Sequence, residues 1–409
     1  MKNIRTFLVL LAFFGLSMNS ATAQDVYVGG KISNRATIWK NGTPQFLTTS
    51  GYGEVKSIVV VGNDVYASGI ESAPGFFAGK LWKNGVVQYV LNNGQDESSA
   101  NSIAVSGNDV YVAGGQGISG KFIGRVWKNG VVEEGYTDAG GMFSIFIDGS
   151  DIYAAGVKSN YNHAAVWKNG DLLYTFDASS NNSVRSVVVD NGNVYTAGYE
   201  FDGENYISKV WKNGEEFYTL GTNGTTYPSA ITLSISNGII YVAGFDKNEN
   251  GKAVAKLWTD GIGIDLSDGT VNSYAVSIFV SDGDVYVVGN ENSQKILYWK
   301  NGTPNTLASG NCYANCILVV DNTIGIAETD NYTTARMYPN PTTGGLKIES
   351  GRLKIEKVEI FDVYGRNVGV NIPVRPENSG NEIVINISHL VNGIYFLRVK
   401  NEVVKIVKQ

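Results

Sequence analysis

Histidine is nearly absent from this 409-residue chain, with two copies, and cysteine is equally rare. His163 and His389 have no Ser/Asp or Cys partner at a recognisable spacing, so no histidine-based triad is legible. No G-x-S-x-G elbow, phosphate loop or dinucleotide fingerprint occurs in its proper context. No catalytic residue, cofactor or resident metal is therefore predicted. Beyond the first residues no stretch approaches 18 apolar positions, which leaves no transmembrane helix in the mature chain. Proline is scarce, 8 against 49 Gly, which points to many tight turns rather than to a disordered linker. Positive charge is short over most of the length. The formal charge is −6, yet residues 335–409 carry a net +4 and Lys2 and Arg5 add two, which leaves −12 on the body between them. An acidic body of this kind argues against a nucleic-acid partner and reads as a solvated surface.

The start of the chain reads as a secretory signal over residues 1–23. Lys2 and Arg5 precede an apolar run at 6–16, and Ala21-Thr22-Ala23 is a small-residue cleavage site, so the mature chain should begin at Gln24. Export places Cys312 and Cys316 outside the reducing cytoplasm, where a local disulfide between them is expected, with two free thiols as the alternative.

What the chain has in abundance is Trp-Lys-Asn-Gly. It stands at 39–42, 82–85, 127–130, 167–170, 211–214 and 299–302, with Trp-Thr-Asp-Gly at 258–261. These sites hold all 7 Trp, at intervals of 43, 45, 40, 44, 47 and 41 residues, the signature of a repeat protein. Each unit opens with a short apolar run such as Ser57-Ile58-Val59-Val60-Val61, suited to a buried strand. A Tyr follows eight residues after the first aliphatic residue, from Ile58 to Tyr66 across Gly62-Asn63 or from Ile278 to Tyr286 across Asp282-Gly283, pairs that supply the positive φ of a hairpin turn. A Gly stands three residues after each Tyr, ending the strand or letting another backbone approach. The third segment ends in Trp, and Asn-Gly turns the chain into a fourth.

Four antiparallel strands per unit of this length predict β-propeller blades. The mature chain opens on a second-type segment, 25–30, and the repeats close on a surplus first-type segment, 316–320. Pairing the two predicts an all-β, seven-bladed β-propeller over 24–322, closed by strand exchange between its N-terminal and C-terminal segments. The Asn-Asp-Val-Tyr-Val-Ala-Gly wording resembles bacterial β-propeller repeats of the SBBP type and, more loosely, kelch repeats.

After Val320 the pattern stops. Residues 323–335 read as a polar linker, and period-2 alternation from 336 onward predicts a small Ig-like β-sandwich. This stretch resembles the type A C-terminal sorting domain of the type IX secretion system. The resemblance rests on Tyr338-Pro339-Asn340-Pro341, the Asp362 to Val368 stretch with Gly365, the 386–390 turn, Gly393 and Tyr395 in the last apolar run, and the basic end with Lys405 and Lys408. It implies a cargo that crosses the inner membrane by its signal, passes the periplasm and crosses the outer membrane by residues 336–409. The implied partners are the type IX machinery and its sortase, which removes the tail. The implied fates are release or attachment to surface lipopolysaccharide, hence a secreted or outer cell-surface location.

Two functions stay open for the body. One is a non-catalytic binding module for a glycan or protein. The other is a secreted hydrolase or lyase using loop carboxylates. The scarcity of His and the missing motifs favour the first. Turns from strand one to two and three to four are short, and the other connections are read as long and variable, so specificity is expected on that second face. Tyr52, Tyr227, Tyr274 and Tyr313 lie there and offer stacking area with a polar tip, or plug the loops instead. Residues 246–251, Asp-Lys-Asn-Glu-Asn-Gly, read as a polar hairpin loop or as the start of a calcium loop, although Leu257 stands where the closing Glu belongs.

Overall fold

Apolar runs separated by paired turn residues leave the backbone one economical option, antiparallel strands in hairpins. The computed structural model accordingly contains strands and no helix among its described residues. Those are 23–409 except 93, 95, 137, 160–162, 177–181, 222–229, 323–335, 339–340, 344, 350–356, 363–365, 374–381 and 400–401. The signal segment, the linker, Tyr227, Pro339, Asn340 and Gly365 therefore lie outside the described residues. The chain divides into two compact units, Gln24–Asn322 and one that takes in Thr323–Gln409.

The first unit is made of four-stranded sheets. Sheet 1 places Cys312–Asn322 beside Ala23–Ile32, followed by Arg35–Lys40 and Thr43–Phe46, so it joins the two ends of the repeat region. Sheet 2 runs Gly53–Val61, Asp64–Ala73, Phe76–Lys83 and Val86–Val90. Sheets 3 to 7 repeat this order, beginning with inner strands Ser98–Ser106, Ala139–Asp148, Asn182–Asp190, Ala230–Ser236 and Ser273–Ser281. Each inner strand lies against the next, and Cys312–Asn322 lies against both Ser273–Ser281 and Gly53–Val61.

Trp-Lys-Asn-Gly is a structural clamp. Asn84 and Gly85 take φ values of 51° and 84°, the type I′ geometry whose twist matches a two-residue hairpin. The Asn84 amide then reaches back across the sheet, accepting from the Val65 N–H at 2.8 Å and donating to Asp64 Oδ1 at 2.8 Å. Lys83 pairs with Asp64 Oδ2 at 2.7 Å and lies 5.0 Å over the Tyr66 ring. The same set recurs around Asn41, Asn129, Asn169 and Asn301. In sheet 5 Asn193 replaces the Asp, and in sheet 6 Thr259 replaces the Lys while Asp260 still accepts from Ile240.

Three contacts join neighbouring sheets. Every Trp is buried, and each sits in an apolar cluster with residues of the preceding sheet: Trp82 with Tyr27 and Ile38, Trp127 with Leu81, Trp167 with Val126, Trp299 with Leu257, and Trp39 with Val288 and Ile296 of sheet 7. A hydroxyl on five of the inner strands accepts an amide of the next: Ser57 from Ile103, Ser102 from Ile145, Ser144 from Val187, Ser186 from Leu233 and Ser277 from Ile317, at 3.1–3.4 Å, whereas the equivalent Thr232 hydroxyl of sheet 6 is buried without a partner. Cys316 holds this slot in sheet 1, where backbone hydrogen bonds reach its sulfur from Gly29 and from Ile58 of sheet 2. The third contact explains the Gly after each Tyr. A bulge precedes the hydroxyl residue in sheets 2 to 7 and turns a carbonyl onto the second strand. A Cβ on Gly69, Gly114, Gly156, Gly198 or Gly289 would collide with the carbonyl oxygen of Glu54, Ser99, Gly141, Ser183 or Tyr274.

The expected disulfide is corrected by this geometry: Cys312 and Cys316 are both free thiols. They lie on one extended strand, Cys312–Asn322. At about 3.3 Å rise per residue their Cα atoms stand about 13 Å apart, roughly twice the reach of a disulfide. Burial pushes the Cys316 thiol up to about 12, against the two backbone hydrogen bonds, so it is an inert packing group.

The second unit has a three-stranded sheet, Arg336–Tyr338, Gly345–Glu349 and Glu382–Asn386, and a four-stranded one ordered Asn367–Pro373, Lys357–Asp362, Gly393–Val399 and Glu402–Lys408. Leu346, Ile348 and Ile385 of the first share one core with Val358, Ile360, Tyr395, Leu397 and Ile406 of the second, as in a two-layer sandwich.

Gly156→Ala should lower unfolding free energy by about 1–3 kcal/mol through overpacking. Gly141→Ala, whose Cβ meets only the Phe143 ring at ordinary distance, should be nearly neutral. Urea denaturation of both variants measures the difference, and equal losses would refute the carbonyl contact as its cause.

Candidate functional site

The short-turn side of each sheet is consumed by the clamp, so chemistry has to be sought at the other end. Here the expectation of long loops needs correction for the two-to-three connections of the first three sheets. Strands two and three of sheets 1 to 3 are joined by two residues only, Ser33-Asn34, Pro74-Gly75 and Ser119-Gly120. The variable lengths are extra strand, and the hairpins project as arms rather than as irregular loops. Irregular backbone cannot satisfy its own polar groups, whereas a prolonged hairpin can.

The polar centre of this end is a carboxylate that the sequence reading passed over. Glu54 is 5% exposed. Its Oε2 accepts from the Tyr52 hydroxyl at 2.7 Å, and Oε1 takes the Asn315 amide at 2.7 Å and Lys56 Nζ at 3.0 Å. Asn315 also donates to the Val55 carbonyl at 2.7 Å, tying sheet 1 to sheet 2 as Asn101 ties sheet 3 to Met142 of sheet 4. Lys31 Nζ donates to Tyr52 at 2.8 Å and lies 4.4 Å over its ring, while Phe77 meets that ring edge-on at 5.4 Å. Burial pushes the Glu54 carboxyl up, but Lys56, Asn315 and Tyr52 together outweigh it and hold it below the ordinary glutamate value.

Of the expected ligand residues, Tyr52, Tyr274 and Tyr313 are half-buried. Burial raises Tyr313, with Glu54 and Tyr274 adding to the shift, and burial followed by Glu54 raises Tyr52. Tyr274 is braced edge-on by Phe245 at 4.8 Å. Between sheets 7 and 1, Asn290 exchanges two hydrogen bonds with the Ala314 backbone, fixing the strand that carries Tyr313. Glu54, Tyr274 and Tyr313 occupy the same repeat position, one before the bulge pair, where the other sheets have Ser99, Gly141 and Ser183. Aligning the units on the hydroxyl residue would have revealed Glu54 as the charged member of that series. The bulged residues themselves differ sharply: Lys56, Asn101, Phe143, Arg185, Ile231 and Val276. Arg185 lies 4.4 Å over the Phe143 ring.

Residues 246–251 form a turn organised by Asn248. Its Oδ1 accepts the N–H groups of Asn250 and Lys252, and its Nδ2 donates to Gly269, so the side chain needed as a calcium ligand is already engaged. Burial raises the Asp246 carboxyl, which accepts from the Lys247 N–H. Among the described residues no group of three or more His, Cys, Asp or Glu side chains is placed to hold a metal. His163 is half-buried beside the Lys158 arm, and His389 is exposed in the second unit.

In the second unit Tyr338 and Pro341 are exposed, Gly393 is half-buried, Tyr395 is core and donates to the Val391 carbonyl at 2.8 Å. Lys405 is exposed, whereas Lys408 is 7% exposed with its Nζ at 3.0 Å from the Gln409 carbonyl. Residues 336–409 match the family model of the secretion system C-terminal sorting domain. The sorting tail directs the chain to the cell surface or the medium and implies contact with the secretion machinery. No curated protein matches the chain. Among solved structures, a puromycin-hydrolyzing peptidase of Mycobacterium tuberculosis aligns at 8% identity and a TM-score of 0.45, covering 79% of this chain and 58% of that one. A puromycin hydrolase aligns at 10% identity and 0.45, covering 80% and 57%. The chain thus spans a little over half the length of these structures. No helix among the described residues is long and apolar enough to cross a membrane.

Because Glu54 titrates lower in the folded than in the unfolded chain, its contribution is present above the ordinary value of 4.5 and is lost as pH falls through the depressed native value. Glu54→Gln should therefore be less stable than wild type near neutrality, and the gap should narrow below about pH 4.5. Melting temperatures recorded from pH 7 to 3 provide the check; a gap that is independent of pH would contradict the assignment.

Proposed function

We propose that residues 24–322 close into a seven-bladed β-propeller and serve as a non-catalytic module that binds a glycan or protein through the end carrying Tyr52, Tyr274 and Tyr313. The observation that carries closure is that the seam from sheet 1 to sheet 2 uses the same kinds of link as the other seams. Cys316 stands in the hydroxyl slot, Asn315 repeats the bond of Asn101, and Trp82 packs on Ile38. The repeated Trp, Lys, Asn, Ser and Gly are all used in building the disc, so what differs between units, the bulged residues and arms, is left for recognition. The reading as a hydrolase or lyase requires an available acid at this end. Glu54 is central, yet both its oxygens are taken by Tyr52, Lys56 and Asn315.

The division of the chain follows from the same reading: signal peptide at 1–23, propeller at 24–322, linker at 323–335 and sorting domain at 336–409. After passage through the periplasm and across the outer membrane, the sortase removes the tail and the body is released or attached to lipopolysaccharide.

Deleting residues 336–409 should leave a folded body in the periplasm, detected by fractionation and protease resistance; a truncated protein that still reached the medium would refute tail-dependent export. For the binding end, the full exported chain should be probed on glycan and protein arrays. Tyr274→Ala should weaken the ligand found by roughly fivefold, about 1 kcal/mol for one stacking aromatic. Asn84→Ala, in the short-turn clamp, should lower the melting temperature and leave affinity unchanged. A ligand insensitive to every substitution at this end would count against it as the binding surface.

A further inference from the structure

Beside Tyr52, the same end of sheets 2 and 3 holds a cleft of its own. Its walls are two arms, the hairpins of Asp64–Ala73 with Phe76–Lys83 and of Asp109–Ile118 with Lys121–Lys128. Its floor is the connection that carries Asp96 and Glu97. The cleft encloses about 740 Å³, lies open to solvent, and is lined by Ser72, Phe77, Asp96, Glu97, Lys121 and Phe122 among others. Phe77 and Phe122 are 38% and 43% exposed, unusual for Phe in positions with so much packing nearby.

Both rings are held in place. Phe77 is braced edge-on by Tyr52 at 5.4 Å. Phe122 rests on Gly115, where any Cβ would collide with the ring, so the second glycine of Gly114-Gly115 is explained as a seat for an aromatic side chain. The floor is pinned to both arms: Gly117 N–H donates to the Glu97 carbonyl at 2.7 Å and Gly79 N–H to Ser98 Oγ at 2.8 Å. The walls therefore need little ordering when a ligand arrives, which removes part of the entropic cost of binding.

We propose that this cleft is a glycan-binding site for one or two pyranose units. The inference rests on the reading of this end as the recognition surface. A pyranose has an apolar C–H face bordered by hydroxyls. Fixed aromatic planes take the face, and paired carboxylates with a lysine take the hydroxyls as acceptors and donor. The volume falls in the range of small-ligand pockets. An extended peptide is the competing occupant, because strand pairing with the fourth strand covers only Lys80–Lys83 in one arm and Trp127–Lys128 in the other; two exposed aromatic faces flanked by Asp96, Glu97 and Lys121 favour the pyranose.

The test uses the full exported chain on an array of hexose and N-acetylhexosamine oligosaccharides, with a hexapeptide library alongside, followed by titration of the strongest hit. Phe122→Ala, at an exposed arm, should lower affinity roughly fivefold without a fall in melting temperature. Phe122→Tyr should retain binding, and Tyr274→Ala should leave this affinity unchanged. Oligosaccharide binding with that pattern supports the cleft. Oligosaccharide binding lost in Tyr274→Ala but not in Phe122→Ala overturns the cleft and keeps the tyrosine end. Binding of peptides alone, or of neither class, overturns the glycan assignment; binding of a protein that depends on the tyrosines would still sustain the broader function.

Discussion

Each inner strand of sheets 2 to 7 carries one residue more than its partner, just before its Ser or Thr. That bulge bends the strand and presses a carbonyl onto the neighbouring strand, where only glycine leaves room. Beyond the bulge the hydroxyl is turned toward the adjacent sheet and, in every one of these sheets but the sixth, accepts its amide. The Trp of the third strand then fills the space between sheets. Glycine and hydroxyl positions thus follow from a single local distortion, repeated in six of the seven sheets.

The parts legible in the sequence are those governed by backbone chemistry. Asn84-Gly85 and its equivalents demand positive φ, and that alone sets hairpin position and register. The apolar Ser57-Ile58 runs mark the inner strands, and the surplus run at 316–320 identifies the partner of the first strand. Two things were read wrongly because they depend on whether a segment is extended. Cys312 and Cys316 look like a local pair only if the chain curls between them. Residues between strands two and three look like loops only if hairpin pairing stops early. Glu54 was missed for a different reason: its importance comes from Asn315, 261 residues away, and no local pattern marks such a contact.

The end opposite the short turns combines two styles of surface. Around Tyr52 and Glu54 the polar groups are mutually satisfied, which makes that region rigid and expensive to alter. Between the arms of sheets 2 and 3 the aromatic faces remain in water. The first holds geometry and the second offers contact area.

Sheet 1 also sets a schedule. Ala23–Ile32 is synthesised long before Cys312–Asn322, its inner neighbour. At ordinary elongation rates this strand waits on the order of tens of seconds with one edge unpaired. An unpaired edge is a template for any matching strand, and the best match in a crowded export pathway is the same segment of another copy. Exchange of Cys312–Asn322 between two chains would reproduce every contact of the seam, including the Cys316 and Asn315 bonds, at no cost in packing. Domain-swapped dimers are therefore the misassembly to which this connectivity is most exposed.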